Sequence, residues 1–282
     1  MFDCHTHCNH SVDSPTSIDT MIEVAIEKGV RYMAFTDHLD FDYLYGESID
    51  KDIKLLDMPF HLADTLRAKA KYADKIEIAC GVECGFSKAA ENDYLKMLSG
   101  CDLDLILNSV HSVNGIDCYH EVYFDGKSKR EAYEQYLLAV LDSVKAKYDF
   151  DVITHIGYVC RKAPFDDRDM NYCEFADIID SILKEIISRG VSLELNSHNR
   201  GTNTPFLPYL SIVQRYIELG GSEFTFGSDA HRISRVNDKF DVVKDFLTSL
   251  STLYFSSCVA LSNTLIFTPM LKLSKIPVKN RH

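Results

Sequence analysis

Apolar and polar positions alternate along the chain in a repeating order. A short apolar run is followed by a longer stretch whose apolar residues fall on one helical face. Residues 2–7 predict a first strand, broken by Ser14-Pro15-Thr16-Ser17. Over 18–28, Ile22, Ala25 and Ile26 are spaced for one face of a helix, and Gly29 stops it. The same alternation predicts strands over 32–36, 76–82, 103–107, 151–154, 192–195 and 223–226. Helices are predicted over 60–72, 91–98, 130–148, 172–188, 207–219 and 236–250. Segments 39–59 and 114–129 are polar loops, and the first is long enough to suggest a functional excursion.

Seven strand-then-helix units in series, with no linker between them, favour a parallel sheet. The polar clusters decide its form. Nearly every predicted strand ends in one: His5/His7, Asp37-His38, Glu83, His111, His155, Asn196 and Asp229/His231. An open sheet would concentrate such residues at one switch point, whereas a barrel gathers all strand ends on one rim. The expectation is α/β, a distorted (β/α)7 barrel with its site at the C-terminal rim. One domain spans 1–282, with the motifs inside 1–250 and an atypical segment over 251–282.

Composition narrows the function. A chain of 282 residues at 46% hydrophobic can bury a large core, and a net charge of −12 argues against gripping nucleic acid or an acidic membrane. Nine cysteines with no CxxC pair, and no signal-peptide-like start, predict reduced thiols in a cytoplasmic enzyme. Residues 246–271 carry no charge and are followed by Lys272, Lys275, Lys279 and Arg281. About 20 residues can span a bilayer. This run, however, is studded with Ser, Thr, Asn263 and Pro269, so two closing strands or a buried helix are expected and no membrane span.

The rim set is His5, His7, Asp13, His38, Glu83, His111, His155, Asp229 and His231. Imidazoles and carboxylates without thiolates suit Zn, Mn or Fe rather than a structural zinc cage. Nine ligands exceed the needs of one ion, so two or three divalent metals sharing bridging groups are expected. Glu83 can bridge, having two oxygens to divide. Ions about 3.5–4 Å apart can hold a hydroxide and clamp a phosphoryl group during in-line attack. Taken singly, each histidine reads as a hydrogen-bonded structural group, Asp13 as a loop cap and Glu83 as a rim charge. Six of the eleven histidines fall at predicted strand ends, and the i, i+2 pairs His5/His7 and Asp229/His231 favour the metal reading.

Together the motifs HxH at His5/His7, TDH at Asp37-His38, GVE at Glu83, NSVHSV around His111, THIGY around His155 and GSDAH at Asp229/His231 resemble the PHP (polymerase and histidinol phosphatase) family. The resemblance covers residues 1 to about 250 in the family's order. It implies a trinuclear site: one metal on His5, His7, Glu83 and Asp229, a second on Glu83, His111 and His155, a third on Asp13, His38 and His231. Asp13 stands where some relatives carry histidine. Length and loops resemble the stand-alone histidinol-phosphate phosphatase branch. That implies hydrolysis of L-histidinol phosphate to L-histidinol and phosphate, in histidine biosynthesis. Arg161 and Arg200 match the branch's phosphate-binding arginines, and guanidinium forks suit phosphate oxygens.

The substrate is then a small anionic phosphate ester. Asp229 or His231 is placed to protonate the leaving alkoxide, with Glu83, Arg161 and Arg200 completing the catalytic set. Asp40, Asp42 and Tyr43 in the loop after His38 could face the cationic organic half. Three other outcomes stay open: another small phosphate ester, single-stranded nucleic acid as substrate, or a metal-binding module without catalysis.

Overall fold

Seven short parallel strands wrap the chain around one axis, and helices cover them from outside. The computed structural model of the protein describes residues 1–44, 54–199, 202–261 and 272–273, with 251–261 and 272–273 as backbone only. In order the elements are β1 (Phe2–Thr6), α1 (Ile18–Glu27), β2 (Tyr32–Phe35), β3 (His38–Leu39), α2 (Met58–Lys71), β4 (Glu77–Gly85) and α3 (Glu91–Leu98). There follow β5 (Leu105–Ser109), β6 (Ser112–Val113), β7 (Ile116–Asp117), α4 (Lys129–Ser143), β8 (Val152–Ile153), α5 (Ala176–Arg189) and β9 (Ser192–Asn196). The last are α6 (Leu210–Glu218), β10 (Glu223–Gly227), α7 (Phe240–Leu261) and β11 (Lys272–Leu273).

The ladder runs β1-β2-β4-β5-β8-β9-β10, parallel throughout. Beyond β10 the ring closes on β1 at the C-terminal rim. Asp229 N donates to His5 O at 2.9 Å and His7 N to Ala230 O at 3.0 Å. Lower down, β11 pairs with β10 at Glu223 and Phe224. This is the expected distorted (β/α)7 barrel.

Side-chain alternation explains how the barrel fills. On β4, β9 and β10 the outward residues Val82, Leu193, Leu195, Phe224 and Phe226 join the large core with the helices. Helix α5 meets that core through Ile179, Ile182, Leu183 and Ile186, spaced i, i+3, i+4, i+7, each burial contributing about 1.5–3 kcal/mol. The inward positions build a separate plug of Cys4, Tyr32, Ala34, Ala79, Leu105, Leu107 and Val152. Above it the inward residues turn polar: Glu83 opposite Leu107, then Glu194 and Asn196. The floor of the site is therefore apolar and packed.

Three differences from the sequence expectation have local causes. Helix α4 ends at Ser143 although Val144, Ala146 and Tyr148 continue the apolar pattern as buried residues outside the helix. The 114–129 loop opens on the β6–β7 hairpin, whose turn residues Asn114 and Gly115 both have positive φ (55° and 79°), an Asn-Gly turn that suits strand twist. Helix α7 runs on to Leu261 through part of the uncharged stretch. Of the two closing strands or buried helix expected there, 262–271 lies outside the described residues. Among the described residues no helix is long and apolar enough to cross a membrane, and no disulfide joins the described cysteines.

Candidate metal centre

The first strand delivers its histidines by breaking its own register. Pairing between β1 and β2 shifts between Asp3 and Thr6. Cys4 packs inward with Leu107, and neighbouring His5 also reaches inward, its Nε2 lying 3.2 Å from Glu83 Oε2. Adjacent residues of a regular strand point to opposite faces, so the irregularity is what turns both inward. Two backbone positions at the rim are unusual as well: His155 (φ 21°) and Asp229 (φ 51°) lie at positive φ. Such conformations cost of order 1 kcal/mol each and persist where surrounding contacts over-determine them.

All nine rim residues named from the sequence come together. Glu83 is the hub, 1% exposed. Its Oε1 lies 2.8 Å from His155 Nε2 and 3.1 Å from His111 Nε2, and accepts from Ser109 Oγ at 2.7 Å. Its Oε2 faces His38 Nδ1 at 3.0 Å, His5 Nε2 at 3.2 Å and His7 Nε2 at 3.4 Å. Asp229 Oδ1 lies 3.5 Å from His7 Nε2 and 3.8 Å from His5 Nε2. At the outer edge Asp13, about half exposed, places Oδ2 3.0 Å from His231 Nε2 and 3.7 Å from His38 Nε2.

Hydrogen-bond direction tests whether this set fits metal ions. A carboxylate or carbonyl only accepts, so it fixes the proton of the ring nitrogen it meets. His5 Nδ1 meets Glu194 Oε1 at 2.7 Å, His111 Nδ1 meets Asp40 Oδ1 at 3.3 Å and His231 Nδ1 meets Asp229 O at 3.0 Å. In each the Nε2 then faces Glu83 or Asp13, so the contact needs either a second ring proton or a cation between ring and carboxylate. The donor set fits divalent ions, and among the described residues five triplets of ligand atoms converge: His5/His7/Asp229, His5/Glu83/His155, His38/Glu83/His111, His7/His38/His231 and His198/Asp229/His231. Without an ion the cluster is held by charge. Burial lowers His5, His38 and His111, but neighbouring carboxylates outweigh it and raise them well above the ordinary imidazole range. As cations these rings hold the Glu83 carboxyl well below its usual range, although burial pushes it up. Burial, with His231 and His38 beside it, lowers His7 to about 3.

Glycines make the close approaches possible. A Cβ on Gly227 would fall onto the Glu194 carboxylate and within 2.7 Å of His5 Cβ. One on Gly85 would strike Asp40 and stand 3.0 Å from His111 Nδ1.

Over the cluster lies a cavity of about 480 Å³. Its lining includes the cations Arg161, Arg232 and Arg235 together with Asp40, Tyr43, Asp117, Tyr119 and Tyr158, and the Arg161 guanidinium stacks 5.0 Å from the centre of the Tyr158 ring. Arg161 is buried, and its Nη2 donates to Asp229 Oδ2 at 3.0 Å and Asn196 Oδ1 at 3.1 Å. Arg200 lies outside the described residues. From the loop after His38, Asp40 and Tyr43 line the cavity while Asp42 does not: it is fully buried and accepts from Ser112 Oγ at 2.5 Å.

Sequence reasoning missed several neighbours. Asp117 accepts from Tyr43 Oη at 2.7 Å, Tyr158 Oη at 3.2 Å and Tyr119 N at 2.7 Å. His198, in the loop just after β9, lies with Nδ1 3.5 Å from Asp229 Oδ2. Glu194 stood in plain view as a charge between Leu193 and Leu195.

Comparison with known proteins agrees with this geometry. The family described as PHP domain matches residues 3–198. A probable histidinol-phosphatase of Clostridium acetobutylicum is 28% identical over 232 residues, covering 82% of this chain and 86% of the relative. The histidinol-phosphatase of Lactococcus lactis is 29% identical over 235 residues, 83% of this chain and 85% of the relative. The crystal structure of histidinol phosphate phosphatase from Lactococcus lactis, complexed with zinc, L-histidinol and phosphate, superposes with a TM-score of 0.76 at 26% identity. It covers 86% of this chain and 92% of that one.

Proposed function

The chain belongs to the PHP domain family, and from that premise we propose that it is a metal-dependent phosphomonoesterase that hydrolyses L-histidinol phosphate to L-histidinol and phosphate. The observation that carries the reading is a cavity over a cluster of imidazoles and carboxylates whose lining combines Arg161, Arg232 and Arg235 with Asp117, which accepts from two tyrosine hydroxyls. A phosphate monoester of a cationic amino alcohol has matching ends. The zinc, L-histidinol and phosphate bound by the Lactococcus lactis enzyme support the same assignment.

His5, His7, Glu83 and Asp229 would hold one ion, Glu83, His111 and His155 a second, and Asp13, His38 and His231 a third. Zinc is the ion we propose, with Mn and Fe suited to the same nitrogen and oxygen donors. When bound, such ions supply Lewis acidity and a water ionised near neutral pH. The protein's own groups do the rest. Arg161 commits only Nη2 among the described residues, leaving Nη1 to take a phosphate oxygen while Nη2 keeps Asp229 turned so that Oδ1 faces the cluster. Asp117, fixed by two tyrosine hydroxyls and a backbone N–H, pairs with the substrate's cationic end, and the Tyr119 and Tyr158 rings give it a face to lie against. Asp229 and His231 line the cavity where the leaving oxygen departs; His5 and Arg161 keep Asp229 ionised despite its burial, so the departing oxygen takes its proton from water. Thiols without a disulfide among the described residues suit a reducing compartment, so we place the reaction in the cytoplasm.

A panel of phosphomonoesters and single-stranded DNA, each with added zinc or manganese, tests the reading. Release of phosphate from L-histidinol phosphate is expected. Cleavage of DNA alone, or no turnover of any substrate by metal-loaded protein, would refute it.

A further inference from the structure

Asp37 touches no proposed metal ligand side chain, yet it is fully buried and faced by donors on both oxygens. Its Oδ1 accepts from Cys8 N at 2.9 Å, Ser11 N at 3.0 Å and Ser11 Oγ at 2.7 Å. Its Oδ2 accepts from Cys8 Sγ at 3.2 Å and faces His61 Nδ1 at 3.4 Å. Ser11 Oγ in turn receives His38 N–H at 3.1 Å and lies 3.1 Å from His7 Nδ1.

A serine hydroxyl has one hydrogen and two lone pairs. An oxygen that already accepts two backbone N–H groups takes the hydroxyl hydrogen as well, so Ser11 donates to Asp37. Both Ser11 lone pairs are then acceptors, one for His38 N–H and one for His7 Nδ1. Ring nitrogen Nδ1 of His7 must therefore carry its proton, and Nε2 is left with the lone pair that faces Glu83 and Asp229. We propose that Ser11, oriented by Asp37, is a positioning residue that fixes the tautomer and ring angle of His7, presenting Nε2 to the metal centre. The proposal rests on the reading of His7 as a ligand. His5 and His111 meet a carboxylate directly, whereas His7 reaches Asp37 only through this hydroxyl. The same hydroxyl ties the end of β1 to the start of β3, so two ligand-bearing segments share one anchor.

The test compares wild type, Ser11→Ala and Ser11→Thr as full chains. It reads imidazole 15N spectra without added metal and zinc affinity by chelator competition. Wild type should show His7 protonated at Nδ1. Ser11→Ala should mix the tautomers and lose about 10- to 100-fold in zinc affinity, the range typical of partners that orient a ligand. Ser11→Thr, which keeps the hydroxyl, should restore both. A wild-type His7 protonated at Nε2, or a Ser11→Ala protein with unchanged tautomer and zinc affinity, overturns the proposal. A lower melting temperature of Ser11→Ala with both readouts unmoved overturns it too, because that is what a merely structural turn would give. If Ser11→Ala does not fold, the wild-type spectrum and the threonine variant still decide. Wild-type protein that takes up no zinc sinks the ligand reading instead, and the nitrogen spectrum then settles the tautomer separately.

Discussion

Glu194→Gln is the substitution whose effect can be worked most fully from the geometry. Glu194 is fully buried and accepts on both sides. Oε1 meets His5 Nδ1 at 2.7 Å, while Oε2 takes His155 N at 2.9 Å and Asn196 Nδ2 at 3.0 Å. Glutamine keeps the shape but has one accepting oxygen and one donating NH2. With the oxygen toward His5, the NH2 confronts the His155 and Asn196 donors and disturbs the residue that presents one ligand. Turned around, the NH2 confronts His5 Nδ1 and drives the ring proton to Nε2, the atom that faces Glu83. Either placement removes a hydrogen bond to a charged group, about 1.5–3 kcal/mol. At about 1.4 kcal/mol per decade that is roughly 10- to 100-fold in metal affinity. The assay is zinc competition against a chromophoric chelator, with circular dichroism as the fold control, and turnover should recover as zinc is raised. A folded Glu194→Gln protein that binds zinc as wild type does would refute the argument that this carboxylate orients His5.

Other outcomes follow from the same geometry. Glu83→Gln should abolish turnover rather than trim it, since three rings lose their shared anion on Oε2; near-wild-type kcat at saturating zinc would contradict the bridging role. Asp117→Asn should lower kcat/KM for L-histidinol phosphate by about 10- to 100-fold. A phosphomonoester of an uncharged alcohol should be little changed; equal losses on both would show that Asp117 only shapes the loop. Stripping the metal with a chelator should abolish activity and lower the melting temperature, and added zinc should restore both. Because the imidazoles must bind in neutral form, and carboxylates raise His5, His38 and His111 above the ordinary imidazole range, protons should compete with zinc already near neutral pH and affinity should fall steadily as pH drops. Affinity flat from pH 8 to 5 would count against histidine ligation.

The barrel and its rim were legible because each motif is local. A short apolar run announces a strand, and His5/His7, Glu83 or Asp229/His231 stand at its end within two or three residues. The groups that orient these side chains were not, because they arrive from elsewhere in the ring: Glu194 meets His5 across 189 positions of sequence. A charge between Leu193 and Leu195 was the available signal, since an inward strand position can hold a carboxylate only if something pairs with it. Asp37 was hidden by its neighbour His38, which looked like the working half of the pair. Asp117 sits on a hairpin inside what reads as a polar loop, and the Asn114-Gly115 turn was the clue to it. Helix α4 was overextended because buried Val144, Ala146 and Tyr148 keep an apolar spacing after the backbone has left the helix.

The central claim is a phosphatase whose cavity selects a cationic alcohol, and one ratio tests it most directly. It is kcat/KM of the zinc-loaded enzyme for L-histidinol phosphate against that for phosphomonoesters lacking the cationic end. Preference for L-histidinol phosphate by at least about tenfold, the effect of one charge-assisted contact, is the predicted result. Equal values across the set would contradict the claim and leave a phosphoesterase without that specificity.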